Sequence, residues 1–120
     1  SMRFAETSSL FGNEKDNSFK STLGAIYQTF GGKDVYPTLE EKAANLLYML
    51  VKNHSFNDGN KRIAAALFIY FLERNNLLFD TNKNPIIDNN TLAAMTLMIA
   101  LSKPEEKEIM CLLVLNMLNK

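Results

Sequence analysis

The chain has 120 residues, enough for one domain with a single hydrophobic core. Its 13 basic and 13 acidic side chains cancel, which argues against a chain-wide attraction to nucleic acid or to an anionic membrane. Apolar residues make up 47% and charged residues 22%, as in globular proteins, so extensive disorder is not expected.

Cysteine content and the chain ends give further expectations. Cys111 is the sole cysteine, so no internal disulfide can form, and its apolar surroundings predict a buried core position. No apolar run reaches the roughly 20 residues of a membrane span, and we find no signal peptide, so we expect a cytoplasmic location. Ser1-Met2 resembles a cloning remnant. We therefore expect residues 1–120 to be a single domain taken from a longer protein.

The spacing of apolar residues predicts a first helix from Ser18 to Phe30, capped by Asn17 or Ser18. The segment from Gly31 to Pro37 interrupts it, because two glycines permit a reversal and Val35-Tyr36 favours extended backbone. A short β-hairpin flap fits this segment best.

Thr38 and Glu41 form a capping-box pattern that opens a helix from Leu39 to Val51. The run from Ile63 to Leu72 is apolar on every side, which predicts a helix in the middle of a bundle.

Beyond that helix, residues 81–84 resemble a turn and residues 85–87 a short extended piece. Asp88 is a candidate cap for a helix from about Thr91 to Ala100. A second capping-box pattern at residues 102–105 opens a last helix carrying apolar Ile109, Leu112, Leu113 and Leu115. Five helices with almost no strand predict an all-α fold.

The run from His54 to Arg62 carries most of the candidate chemistry. His54 is the only histidine and suits a general base, while Asp58 is an anionic metal ligand. Gly59 lets a phosphate approach the backbone closely. The alternative is ordinary turn chemistry, in which glycine takes a positive φ and the polar side chains cap the neighbouring helices.

The second half of this run favours the functional interpretation. A helix beginning near Asn60 offers free amides and a positive dipole end to an anion. Lys61 and Arg62 lie in its first turn, where cations oppose the dipole and lower stability unless an anion compensates.

The run resembles the motif of the Fic/Doc family, His-x-Phe-x-Asp/Glu-Gly-Asn-Gly/Lys-Arg. Every defined position is matched, by His54, Phe56, Asp58, Gly59, Asn60, Lys61 and Arg62. The segments Gly-Lys-Asp-Val-Tyr-Pro and Leu-Glu-Glu-Lys-Ala-Ala also look like this family, and the resemblance extends from about Phe19 onward. It implies a compact Fic-type bundle of α-helices with a short β-hairpin flap.

The resemblance also implies an activity, the magnesium-dependent transfer of AMP from ATP to a Ser, Thr or Tyr hydroxyl of a target protein. In that activity His54 is the general base and Asp58 holds Mg²⁺. Gly59, Asn60, Lys61 and Arg62 form the phosphate site. Doc-like members carry lysine at the position of Lys61 and act as kinases, so AMP transfer and phosphorylation both stay open.

The flap residues Lys33, Asp34, Val35 and Tyr36 are implied to dock an extended target segment by β-augmentation, the alternative being a plain surface hairpin. Many family members carry an inhibitory Ser/Thr-x-x-x-Glu-Gly/Asn helix. Ser102 to Lys107 lacks the final residue of that pattern, so an inhibitor is expected in trans, as an antitoxin, or in a part of the protein outside this chain.

Three functions therefore stay open after the sequence alone. The first is the transferase, a bacterial toxin or virulence-associated factor. The second is a non-catalytic helical interaction domain that retains the loop. The third, a metal hydrolase, is disfavoured because a lone histidine makes a zinc site improbable.

Overall fold

The fold is seen in a computed structural model, which describes residues 13–52 and 60–119. The order of elements is α1 (Asn13–Ile26), β1 (Thr29–Phe30), β2 (Lys33–Asp34), α2 (Leu39–Lys52), α3 (Asn60–Arg74), α4 (Asn89–Leu101), a 3₁₀ turn (Pro104–Glu106) and α5 (Lys107–Leu118). The predicted all-α fold is confirmed. Within these ranges no helix combines the length and apolar character that crossing a bilayer requires.

The centre of the bundle is α2, which packs against α1, α3, α4 and α5. Every residue from Lys42 to Leu50 is buried. The prediction that the helix after the motif lies in the middle is wrong, because Ala65, Ala66 and Ile69 of α3 stay partly exposed. The buried side chain of Asn45 is satisfied within α2, because its amide donates to the Glu41 carbonyl at 2.9 Å.

Local capping signals were predicted well. The Glu41 backbone N–H donates to the Thr38 hydroxyl at 3.0 Å, and the Thr38 N–H donates to the Glu41 carboxylate at 3.3 Å. Asp88 caps α4 by accepting from the Thr91 N–H at 2.7 Å. Both predictions are confirmed because each depends on residues within three positions of one another.

The first helix differs from its prediction at both ends. It begins at Asn13, so Asn17 and Ser18 lie inside it, and it ends at Ile26 rather than Phe30. Residues 29–30 instead pair with residues 33–34, and the Val35 N–H donates to the Gln28 carbonyl at 3.1 Å. These strand hydrogen bonds outweigh the helical pattern.

The second predicted capping box is also wrong. The Ser102 hydroxyl is buried and donates back to the Ile99 carbonyl at 2.7 Å, which ends α4. Glu106 makes the cap instead, its carboxylate accepting from the Lys103 N–H at 2.7 Å. In α5 the buried residues are Met110, Val114 and Leu118, whereas Ile109, Leu112 and Leu113 are exposed.

Candidate functional site

The flap is a two-strand hairpin with a two-residue turn, as predicted. Phe30 pairs with Lys33 and Thr29 with Asp34 in antiparallel register. Gly31 and Gly32 take φ values of +62° and +81°, which fit the type I′ turn that matches the strand twist. Residues 31–35 are exposed. The flap therefore offers its backbone to solvent, which β-augmentation requires.

The flap is attached to the bundle through Lys42, a residue that is only 3% exposed. Its ammonium donates to the Asp34 carboxylate at 3.0 Å and to the Tyr36 carbonyl. It also lies 5.4 Å from the centre of the Tyr27 ring. This burial was not predicted, because the lysine follows two glutamates in the first part of a helix, a pattern typical of a surface position.

The motif is described only from Asn60 onward. His54, Asp58 and Gly59 lie outside the described residues, so their predicted roles stay predictions. The third helix begins at Asn60, as expected. Its first turn holds half-buried Lys61 and exposed Arg62 and contains no acidic residue. Two cations at the positive end of a helix dipole form a favourable place for an anion.

A cavity of about 690 Å³ opens beside this turn. Its walls come from α3, from α4 and from the connection between these helices. Apart from Lys61, Arg62, Asn89 and Thr96 the lining is apolar: Ala65, Ala66, Ile69, Leu78, Phe79, Pro85, Ile87, Leu92, Ala93 and Leu97. The Thr96 hydroxyl donates to the Ala93 carbonyl at 2.8 Å and so is already satisfied. Volume and lining match small-molecule sites in general.

The outer wall of the cavity is a tight turn, which confirms the turn predicted at residues 81–84. The Asp80 carboxylate accepts from the N–H groups of Asn82 and Asn84 at 2.8 and 2.9 Å. A single β-bridge then joins Phe79 to Pro85. The turn thereby places these two apolar side chains at the cavity, although their neighbours in sequence gave no sign of a binding site.

The structure does not bring the flap and the cations of α3 together. No flap residue lines the cavity. The Tyr27 ring, at the base of the flap, lies 6.5 Å from the ring of Phe71. Phe71 follows Arg62 by nine residues, or about 14 Å along a helix. The residue just before the flap therefore packs against α3 about two and a half turns away from Arg62.

Metal and thiol chemistry receive little support from the described ranges. No group of three His, Cys, Asp or Glu side chains there is arranged to hold a metal ion. The predicted Mg²⁺ ligand, Asp58, lies outside those ranges, and Mg²⁺ often takes only one or two carboxylates beside substrate phosphates.

Cys111 is half-buried rather than fully buried as predicted, and its thiol contacts the Asn45 side-chain oxygen at 3.6 Å. Burial raises the pKa of this thiol and nearby Lys107 only partly opposes it, so the thiol stays protonated near neutral pH.

Comparison with known proteins places these features in a family. The model of the Fic/DOC family matches residues 2–72, more than half of the chain, including the flap and the motif. The protein named Toxin Doc from Mycolicibacterium smegmatis (strain ATCC 700084 / mc(2)155) is 51% identical over 47 residues. That stretch covers 39% of this chain and 36% of the relative, so only about a third of the relative's length is matched. No solved structure matches the chain.

Proposed function

The chain belongs to the Fic/DOC family, and on this premise we propose that it transfers part of ATP, either AMP or a phosphate, to a hydroxyl group of a target protein. The similarity to a protein named Toxin Doc supports a toxin-like role for this transfer.

The cavity beside the first turn of α3 carries the proposal. A nucleotide has an anionic triphosphate at one end and a flat, weakly polar base at the other. Lys61 and Arg62 suit the anionic part, together with the positive dipole end at the start of α3. The largely apolar walls supplied by α3 and α4 suit the base, and a volume of about 690 Å³ leaves room for both.

The remaining roles follow from the motif. We assign His54 to removal of the proton from the attacking hydroxyl and Asp58 to holding Mg²⁺ against the phosphates. When bound, the ion would offset negative charge on the transferred group. Gly59, Asn60 and Arg62 would hold the phosphate oxygens in line with the acceptor, so positioning and charge supply most of the rate acceleration.

The choice between AMP and phosphate depends on which end of ATP faces His54. Lys61 adds bulk and charge where many AMP-transferring members have glycine, which favours the kinase orientation. Its half-buried position at the cavity is compatible with direct contact to a phosphate. We therefore treat phosphorylation and AMP transfer as two versions of one proposal, to be separated by experiment.

The proposal is tested with ATP labelled separately on its α- and γ-phosphates, incubated with the protein, Mg²⁺ and a bacterial lysate. Retention of the α-label on protein indicates AMP transfer, whereas retention of the γ-label alone indicates phosphorylation. We expect His54→Ala to lower transfer by at least about 100-fold, the scale of a lost general base.

Asn116→Ala, an exposed change on α5, serves as the matched control and should retain full transfer. Thermal unfolding of both variants checks the fold. The transferase proposal would be refuted by a folded wild-type protein that neither binds Mg²⁺–ATP nor labels any protein.

A cellular role follows from the same proposal. We propose that the protein acts in the bacterial cytoplasm on a protein target and is restrained by an antitoxin or an inhibitory helix supplied in trans. Induced expression should then arrest bacterial growth, and His54→Ala should relieve the arrest at equal protein level. If wild type and His54→Ala arrested growth equally, toxicity would not depend on the transfer reaction.

A second candidate is a non-catalytic interaction domain, favoured by apolar side chains on the outer faces of α4 and α5. Leu101 is 76% exposed and Ile109 is 57% exposed, and Leu112 is about half exposed. Such clusters often mark contact with another protein. This candidate predicts partner binding without dependence on ATP, and His54→Ala should leave that binding unchanged.

A further inference from the structure

We propose that Lys42 is a positioning residue that fixes the flap for docking of an extended target segment. This inference rests on the proposed function, in which the flap receives the target. It adds a residue outside the motif and outside the four flap residues.

The burial of Lys42 is the first observation. Its side chain is 4% exposed, on the helix that forms the centre of the bundle. A buried ammonium group is costly unless charge and hydrogen-bond partners surround it. At this position an apolar side chain would fill the same space without that cost. The lysine must therefore be matched by specific partners, and all those described belong to the flap region.

The partners are distributed over both arms of the hairpin. Tyr27 precedes β1 and places its ring 5.4 Å from the ammonium. Asp34 lies in β2, and its carboxylate accepts from the ammonium at 3.0 Å. The Tyr36 carbonyl, in the segment that leads into α2, also accepts from the ammonium. One cation thus contacts the residue that leads into β1, the strand β2 and the segment that follows it.

The hairpin needs such support because it is very small. Each strand has two residues, and hairpins of this size are marginal when isolated in water. Docking by β-augmentation requires a fixed strand edge, since ordering a loose hairpin during binding reduces affinity. The clamp of Lys42, Asp34, Tyr36 and Tyr27 supplies that order before any target arrives.

Hydrogen exchange tests the clamp directly, without any need for activity. In Lys42→Met, which keeps the length and burial of the side chain, we expect flap amides such as that of Val35 to exchange about tenfold faster or more. Amides of residues 43–50 in α2 should change less than about twofold if the bundle remains folded.

Lys52→Met is the matched control. Lys52 lies at the other end of α2, and its ammonium donates to the Ser102 carbonyl at 2.6 Å and to the Ala100 carbonyl at 3.5 Å. It is another lysine bound to backbone oxygen, yet it does not touch the flap. Its replacement should leave flap exchange unchanged. Asp34→Asn provides a second test that keeps Lys42, and it should accelerate flap exchange less than Lys42→Met does.

The functional part is measured by label transfer from ATP to lysate proteins at increasing lysate concentration. We expect Lys42→Met to raise the half-saturating lysate concentration at least about fivefold, with maximal rate and Mg²⁺–ATP affinity within about twofold of wild type. A uniform loss of maximal rate would indicate a merely structural role and overturn the inference.

The outcomes separate the inference from its premise. Unchanged flap exchange in both Lys42→Met and Asp34→Asn overturns the clamp, whatever the activity. Faster exchange with unchanged half-saturation overturns the link to target docking. Absence of transfer by wild type refutes the proposed function and with it the docking role, while the exchange rates still decide whether Lys42 holds the flap.

Discussion

Two cationic regions of this protein have opposite surroundings. At the start of α2, Lys42 is buried and its ammonium is bound by a carboxylate and a carbonyl of the flap. At the start of α3, Arg62 is exposed beside a cavity, in a helical turn without any acidic residue. Both are basic residues near the beginning of a helix, where the helix dipole disfavours positive charge.

The difference shows how to separate structural from functional cations. The charge of Lys42 is compensated by groups of the same chain, so its ion pair and hydrogen bonds hold the flap in place. Arg62 lies exposed next to a cavity of ligand size, where an incoming anion would offset its unfavourable position at the helix N-terminus. Burial against a carboxylate and a carbonyl at Lys42, and exposure beside a cavity at Arg62, distinguish the two regions although both residues are basic.

The largest expected effect concerns nucleotide binding. Arg62→Gln should weaken Mg²⁺–ATP binding by about 10- to 100-fold, because a charge-assisted hydrogen bond to phosphate is worth roughly 1.5–3 kcal/mol. Isothermal titration calorimetry measures the change. Arg74→Gln, at the exposed opposite end of the same helix, should bind normally. Equal affinity of the two variants would show that Arg62 is not a phosphate ligand and would remove the functional difference between Arg62 and Lys42.

A middle-sized effect concerns the turn that shapes the flap. Gly32→Ala should lower the free energy of unfolding by about 1 kcal/mol, because φ of +81° is strained for a residue with a side chain. Gly24→Ala, at an exposed position of α1, should raise it by about 0.5–1 kcal/mol through helix propensity. Neither added methyl group meets a neighbouring atom within 4 Å. The backbone conformation alone therefore decides whether each change raises or lowers the free energy of unfolding. Urea titration provides both values.

The smallest expected effect is a gain in stability from the variant that loses binding. Arg62→Gln removes a cation from a helix N-terminus and should raise the free energy of unfolding by about 0.3–1 kcal/mol at low salt. Arg74→Gln removes a cation from the C-terminus and should lower it by a similar amount. Urea unfolding at low and high salt tests both, since salt should shrink each difference. A loss of stability in Arg62→Gln would place this residue among the structural cations, beside Lys42.

Sequence reasoning succeeded where the determining residues are neighbours. The Gly31-Gly32 reversal, the Thr38 capping box and the Asp88 cap each depend on hydrogen bonds or dihedral angles within a few residues. The start of α3 at Asn60 was also predicted, because the motif combines turn formers with a following apolar run.

It failed where a distant partner decides. The first helix stops at Ile26 because residues 29–30 join a strand pair. Ser102 is an exception, because its hydroxyl ends one helix by donating to the Ile99 carbonyl only three residues away. The burial of Lys42 depends on Asp34 and Tyr36, which precede it by eight and six residues and lie outside its helix. The cavity needed α3, α4 and the connection between them, whose packing no local pattern encodes.

The exposed turn between Phe79 and Pro85 has a practical consequence for measurement. Asn82 lies at its solvent-facing tip, close in sequence to two side chains that line the cavity. A fluorescent dye attached to Asn82→Cys would therefore lie near the cavity, and its fluorescence should change when a ligand binds there. Because its raised pKa keeps the half-buried Cys111 thiol protonated, maleimide reagents near pH 7 should label the new cysteine first. Ligand association could then be followed in real time with an otherwise unmodified chain.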